Sequence, residues 1–579
     1  MFVYLAFNDR INNAKMKKIL HLMGMLLAVS TGHAQTLHNG ITLPDEWPPR
    51  RPLPTVRAQM PLPYMENKPE VIPVNVGRQL FVDGFLISET DLTPVFHTPD
   101  FYEGNPVLEP DREWEKTASG APYAAPFSDG IWYDEQTGKF RMWYLAGAEK
   151  IHHDRERDIE RQTFYTCYAE SKDGMHWEKI MLDLIPGTNV VDSCDRDACT
   201  VWLDRMEKDP ARRWKMFNVE RRAYDSRWQI VLKYSSDGIH WSRGAAQSGE
   251  VWDRTTAFFN PFTDKWALSL RAGAPTSSRS RFYVEHSDPE MAVSLAHRTR
   301  ADVEDRNVVF WFGPDDKELR HEKYPEVEPG IYNFDAIAYE SIILGQYSAW
   351  CGPENHICGR DHIQKRNVVS LGYSRDGFHF YRPTHEPFMN VNETEGAWNW
   401  GNMQSINGTP LIVGDSLYFY SSGRRLNNIF WDGYTSTGLA RLRRDGFVSM
   451  HAGREGGSLT TEKISFDGRY LFVNADVHDK KSCLMVEVLD EDGKVIPGYS
   501  AAECNTIRRT DSTKQIVTWK SHEDLSPLSG RAIRLRFHIT GGDIYAFWIS
   551  PWESGESRGY TAGGGPGLNP RGIDVKVDD

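Results

Sequence analysis

The chain has 579 residues, 40% of them hydrophobic and 25% charged, with a formal net charge of -13. A mean hydropathy of -0.54 argues against a membrane-embedded protein, and no basic stripe or domain of the kind that grips nucleic acid is present. Aromatic residues are abundant, with 19 Trp, 24 Tyr and 27 Phe, which suits interlocking sheets and also suits a cleft that stacks on sugar rings.

The N-terminus reads as an address. Residues Met16 to Ala34 carry lysines, then an apolar run, then small residues, the order of a secretory signal peptide too short to span a bilayer. The fifteen residues before Met16 look like an upstream start. Export to a periplasm or beyond is expected, with residues 1–34 removed and no later membrane span. Residues 35–77 are proline-laden and read as an extended leader.

From residue 78 onward, strand-like runs alternate with Gly, Asp, Asn and Pro turns. One phrase recurs: Ser171-Lys-Asp-Gly-Met-His-Trp177, Ser235-Ser-Asp-Gly-Ile-His-Trp241 and Ser374-Arg-Asp-Gly-Phe-His-Phe380. A worn copy stands at Arg444-Asp-Gly-Phe447 and a fainter trace at Ser287-Asp-Pro289. Repeats at such spacing mean one supersecondary unit used several times, and Asp-Gly between strands marks a tight turn. Opening strands are expected at Gly130–Tyr133, Ala198–Leu203, Thr255–Phe259, Ala336–Tyr339 and Pro410–Gly414. The prediction is an all-β fold: a five-bladed β-propeller over 78–453, then a β-sandwich over 454–565 and a flexible tail over 566–579. The aspartates of the repeated turns are expected to be structural.

All seven cysteines follow the signal. Cys194/Cys199, Cys351/Cys358 and Cys483/Cys504 are spaced so that they could bridge in an oxidising compartment, leaving Cys167 over. No metal-ligand motif appears, and no cofactor is expected.

Inner strands of a propeller start at one mouth of the channel, so the residues there are the candidates for chemistry. Reading that position gives Asp129, Asp197, Asp253 and Asp335 in four blades and Asn399, Asn402 and Gln404 in the fifth, framed by Trp398 and Trp400. Glu340 lies further along the fourth blade's strand and could share the funnel or pair inside a blade. Close carboxylates push one another's pKa apart, which makes an acid and an ionised partner for glycosidic cleavage, at a separation of roughly 5 to 10 Å. Asp197 and Asp253 are the leading pair, with Asp335, Glu340 and Asp129 behind them. Two carboxylates both locked to arginines would not serve. Trp252, Trp398 and Trp400 are expected to stack on sugar, and Arg271 or Arg281 to recognise an acidic one.

Gly104-Asn-Pro-Val-Leu108 with Trp114-Glu115, the blade phrases, and the Gly457-Ser-Leu-Thr460, Asp467-Gly-Arg-Tyr-Leu471 and Leu535-Arg-Phe537 segments carry a resemblance. The chain resembles the propeller superfamily that contains glycoside hydrolase families 32, 43, 62, 68 and 117, over nearly the whole mature length. That resemblance implies a secreted glycosidase acting on an oligosaccharide or polysaccharide, in a superfamily where some members hold a channel calcium ion. In family 32, Arg196-Asp197-Ala198 would correspond to an Arg-Asp-Pro motif that supplies a stabilising aspartate. The nucleophile motif is replaced by Phe127-Ser-Asp129-Gly130 and the acid motif by Trp252-Asp253-Arg254-Thr255, so those roles do not transfer. A phosphorylase or transferase on the same scaffold, with basic residues such as Arg196, Arg254 and Arg271 at the funnel, is the first alternative. A non-catalytic glycan-binding protein is the second.

Overall fold

The structure is a computed structural model that describes residues 35–577, apart from 117–121, 155–158, 223–226, 299–306, 362, 364 and 426–433. The expected signal segment therefore lies outside the described residues. The chain is nearly all-β, 47% strand against 5% helix.

Five consecutive β-units form the larger part. The first runs Ala124–Asp134, Lys139–Asp154, Ile159–Ser171, with Trp177–Glu178 and Val190–Asp192 on its outer edge. The second is Arg196–Leu203, Trp214–Arg221, Trp228–Ser235 and Ala246–Gln247, and the third Thr256–Asn260, Lys265–Ala274, Ser277–His286 and Val309–Phe312. The fourth is Gly330–Glu340, Ile342–Gly352, Arg366–Ser374 and Phe380–Tyr381. The fifth is built from Asn402–Ser405, Leu411–Val413, Ser416–Arg424 and Thr435–Arg443, and its outer strand, Asp100–Phe101, arrives from the N-terminal side. The inner strands abut in order, first on second, second on third, third on fourth, fourth on fifth and fifth on first. That cyclic order, with the ring closed by an early strand, is a five-bladed propeller.

Every copy of the repeated phrase sits where the third strand of a blade ends. In the clearest copies the aspartate closes its own turn: Asp173 Oδ1 accepts the amides of Met175 (2.8 Å) and His176 (2.9 Å), and Oδ2 meets His176 Nδ1 at 2.7 Å. Asp237 and Asp376 repeat the pattern. Burial opposes these carboxylates, but the hydrogen bonds from the histidine win and hold Asp173 and Asp237 well below the usual range. Each turn region also receives a hydroxyl or indole donor from the blade before it. Tyr420 bonds Gly174 O, Trp143 bonds Gly238 O, Tyr234 bonds Glu290, Trp311 bonds Phe378 O and Tyr339 bonds Asp445, at 2.6 to 3.0 Å. The phrase is an inter-blade lock.

The sandwich pairs a six-stranded sheet with a four-stranded one, but its borders differ from those read in the sequence. It starts at Val448–Ala452 and recruits Gln79–Leu80, Ile87–Thr90 and Thr93–Phe96 from the N-terminal side. Those short segments fill sheet edges that the C-terminal strands leave open, so no local pattern marked them. The segment expected as a flexible tail, 566–579, is tied down over its described residues, with Asn569 and Asp574 buried and Asp574 exchanging backbone bonds with Arg558 and Gly559 at 2.8 Å, and the stretch just before it is docked too. Tyr560–Thr561 pairs with the end of Gly330–Glu340, and Gly563 O and Gly564 O accept from Tyr133 N and Ile412 N, both at 2.9 Å. A Cβ at Gly563 would run into Gly408 O, so this close approach to the end of the barrel away from the candidate site requires glycine. The leader is likewise tied down, with Leu37, Ile41 and Leu43 buried and Asn39 Nδ2 donating to Arg375 O at 2.8 Å. All seven cysteines are free. In the expected Cys351/Cys358 pair the two thiols point to different carbonyls, Ala349 O and Pro353 O.

Candidate active site at the propeller mouth

All five blades send polar groups to one mouth of the channel. Asp129, fully buried in the first inner strand, is gripped by the two-pronged guanidinium of Arg196, with Nη1 at 3.0 Å from Oδ1 and Nη2 at 2.5 Å from Oδ2. Burial nevertheless pushes the Asp129 carboxyl up to about 7, against the pull of Arg196. Asp197 accepts the backbone amide of Arg254 at 3.0 Å and its Nη2 at 3.3 Å. Asp253 is paired with Arg271, and although burial opposes ionisation, Arg271 and then Arg254 hold this carboxyl below the usual range. The result is an alternating chain of acids and guanidiniums, Asp129, Arg196, Asp197, Arg254, Asp253 and Arg271, laid along three blades.

That chain corrects the leading expectation. Asp197 and Asp253 are both paired with arginines, so they do not form the acid-and-nucleophile pair that the sequence suggested; of the two, Asp253 keeps the more exposed side chain and is left only the role of an ionised carboxylate. Two carboxyls are pushed up to about 7, Asp129, which Arg196 grips, and Asp335, which pairs with no arginine among the described residues. Asp335 is 2% exposed, and burial pushes it up although Ser405 Oγ (2.6 Å), Asn333 Nδ2 (2.8 Å) and Ser128 Oγ (3.3 Å) all donate to its Oδ2. Its other oxygen, Oδ1, has no partner among the described residues, nor have Asn333 Oδ1 and Gln404 Oε1. Buried polar atoms are rarely left unpaired: with Oδ2 accepting three hydrogen bonds, the proton of the neutral Asp335 sits on Oδ1 and can be donated, while Asn333 Oδ1 and Gln404 Oε1 are acceptors that suit a ligand rich in hydroxyl donors.

Two non-glycine residues at the mouth hold positive φ, Phe127 at 55° and Arg254 at 55°. Phe127 sits at the register shift between Ala125 and Gly130 in the first inner strand, and its amide is caught by Ser422 Oγ at 2.8 Å. Arg254 is clamped from below by Arg281, whose Nη2 donates to Arg254 O at 2.9 Å. Arg281 is itself wholly buried against Ser269, and burial lowers its guanidinium to about 9, so it braces the mouth and does not meet an acidic sugar. Strain of this kind, over-determined by neighbours, clusters where a fold has been shaped for function.

Glu340 does not share the funnel. At the far end of the fourth inner strand it is fully buried at the seam with the sandwich, accepting from Arg78 N (3.1 Å), Arg444 Nη2 (3.1 Å) and Ser557 Oγ (2.6 Å). The aromatic expectations also divide. Trp398 is a packing residue, covering Gly423 and Gly438 so closely that a Cβ on either would collide with its ring, and meeting Phe101 edge-on at 5.9 Å. Trp252 lies under two guanidiniums, Arg298 at 4.5 Å and Arg271 at 5.0 Å. Trp400 stays half-buried beside Asn399. Asn402 donates to Lys365 O at 2.6 Å and accepts from Gln404 Nε2 at 3.3 Å, joining the fourth and fifth blades at the mouth.

Sequence reasoning missed Tyr332, Lys365, Arg279 and Arg424. Tyr332 lies three residues before Asp335, and burial would raise its phenol, yet Lys365 and Arg254 draw it down to about 8, with Arg279 helping and Asp253 opposing. Strand parity could not have found Tyr332, an odd number of residues from Asn333 and Asp335; it sits at the register shift between Ile331 and Asn333, which the sequence does not mark. Two groups of potential metal ligands occur among the described residues, Asp192/Cys194/Glu220 and Asp315/Glu318/His385, and they are paired with Lys233 and Arg382 respectively.

No protein-family model matches the chain, and no curated protein matches it. Solved structures similar to it include a β-1,2-mannobiose phosphorylase from Listeria innocua, 13% identical with a TM-score of 0.38, over 59% of this chain and 96% of that one. A glycosyl hydrolase from Bacteroides ovatus is 12% identical with a TM-score of 0.38, over 63% of this chain and 97% of that one. A β-fructofuranosidase from Schwanniomyces occidentalis is 8% identical with a TM-score of 0.35, over 78% of this chain and 96% of that one.

Proposed function

We propose that the protein is a carbohydrate-active enzyme that breaks a glycosidic bond of an oligosaccharide or polysaccharide at the propeller mouth. The observation that carries this is the separation of carboxylates in one channel: Asp253 is held ionised by Arg271, while burial keeps Asp335 protonated to about pH 7. Glycosidic cleavage asks for both states at once, a proton for the leaving oxygen and a negative group facing the cationic sugar carbon. Asp253, whose side chain is 34% exposed, is the group able to touch substrate. Asp335 is a buried proton store whose Oδ1, unpaired among the described residues and left free by the three donors on Oδ2, would present the proton. The unpaired acceptors Asn333 Oδ1 and Gln404 Oε1 would receive sugar hydroxyls.

Phosphorolysis is the second reading, favoured by one observation: cations outnumber carboxylates at the mouth, as attack by a phosphate anion would require. The signal-type segment at Met16 to Ala34 supports action outside the cytoplasm. Incubation with a panel of plant and algal oligosaccharides, with and without inorganic phosphate, tests the reading by product analysis. Free sugar in both arms supports hydrolysis, sugar phosphate in the phosphate arm supports phosphorolysis, and no cleavage of any member in either arm speaks against catalysis.

A further inference from the structure

Lys365 and Arg424, at the mouth, form no ion pair among the described residues. Arg254 is paired with Asp197, Arg271 with Asp253 and Arg279 with Glu354 (3.1 Å). Lys365 and Arg424 meet no carboxylate among the described residues, and Arg424 Nε is buried without a hydrogen-bond partner. Both flank Asn402: Lys365 through the bond from Asn402 Nδ2 to its carbonyl, Arg424 as its cross-strand neighbour. Their charges are gathered round two aromatic rings. Arg254 and Arg424 lie 5.2 and 5.9 Å from the Phe127 ring centre, and Lys365, Arg254 and Arg279 lie 5.3, 5.6 and 5.9 Å from that of Tyr332. The ring faces attract these cations, and Asp197 and Glu354 answer Arg254 and Arg279, so the charge left over at the arc is that of Lys365 and Arg424, which an anion would neutralise.

We propose that the arc from Arg424 through Arg254 and Tyr332 to Lys365 is a subsite for an oxyanion, either an acidic group carried by the glycan or inorganic phosphate. Planar guanidinium forks suit carboxylate, sulfate and phosphate alike, Lys365 adds a movable point charge, and the Tyr332 hydroxyl, without a partner among the described residues, donates a further hydrogen bond. Phe127, held at positive φ between Arg254 and Arg424, sets the spacing of the two forks. The depressed phenol of Tyr332 is the trace that the uncompensated charge leaves on its neighbour. This subsite deepens the reading of the mouth as a saccharide site, and it stands or falls separately from cleavage.

The test is calorimetric titration of the full chain with inorganic phosphate, an oligouronate, a sulfated oligosaccharide and a neutral oligosaccharide of similar length. At least one of the three anions should bind, weaken as salt is raised, and lose tenfold or more in affinity in Lys365→Gln and in Arg424→Gln. Phosphate alone binding identifies a co-substrate, and the oligouronate or sulfated sugar binding identifies an acidic glycan. A second readout does not depend on affinity. Tyrosinate absorbance that disappears in Tyr332→Phe should titrate near pH 8 in the free protein and at higher pH once the anion is bound, since added negative charge opposes the phenolate. The proposal is overturned if no anion binds, if both variants bind as the parent does, or if the Tyr332 titration does not move. A neutral oligosaccharide cleaved while no anion binds would remove the subsite and leave the proposed cleavage intact.

Discussion

Asp335 offers the sharpest expectation, because its burial and its partners bear on stability and pH together. Its ordinary pKa is 3.8, and in the folded protein burial raises it to about 7. A carboxyl raised on folding lends stability at acid pH and withdraws it as pH climbs, because the folded state then holds a proton that the unfolded chain has already released. Linkage through those two values has the folded protein lose roughly 2 to 3 kcal/mol between pH 5 and pH 8 on account of this one group. Asp335→Asn keeps an oxygen for Ser405 and Asn333 and cannot ionise. Urea unfolding of parent and variant, followed by tryptophan fluorescence at both pH values, should show the variant gaining by about that amount at pH 8 relative to pH 5. Asp129, also raised to about 7, is common to both proteins and cancels. A difference between parent and variant that is the same at pH 5 and pH 8 would refute the reasoning.

Three further outcomes follow from the same structure. Glu340→Gln leaves Arg78 and Arg444 short of countercharge at the seam, and should cost on the order of 3 kcal/mol in unfolding while saccharide binding at the mouth is unchanged. Trp398→Ala should destabilise the propeller by roughly 3 to 5 kcal/mol in the same urea assay, because it uncovers Gly423 and Gly438, whereas Trp400→Ala should cost far less. Asp237→Ala should lower stability by about 1 to 2 kcal/mol through the lost turn bonds and leave turnover untouched, as measured by side-by-side denaturation and activity assays.

The fold was legible wherever the sequence repeats itself. The Asp-Gly turns numbered the blades because each needs the same local chemistry, a short acidic side chain closing over glycine, and that chemistry is written in adjacent residues. Strands such as Thr93–Phe96 and Asp100–Phe101 were not legible, since they are two to four residues long and exist only because a distant sheet edge receives them. The tail was misjudged for a related reason: glycine richness suggests mobility, but Gly572, at positive φ, accepts the Thr561 amide and packs on Arg205. At the site, the position where each inner strand begins led to Asp129, Asp197, Asp253 and Asp335. It said nothing about which arginine each would meet, because Arg271 reaches Asp253 across a hairpin and Arg254 reaches Asp197 across a blade boundary. For Glu340 the sequence left funnel and internal pairing both open, and the choice needed the seam that only the sandwich supplies. Lys365 and Arg424 were invisible because they come from neighbouring blades and meet only through Asn402.

The central claim is that the mouth is the catalytic centre and that Asp253 is its ionised carboxylate. The most direct measurement is steady-state kinetics of Asp253→Asn on whichever saccharide the parent cleaves. The substitution preserves shape and removes the charge, so kcat should fall at least about 100-fold with KM little changed. Unaltered kcat in the folded variant would contradict the account.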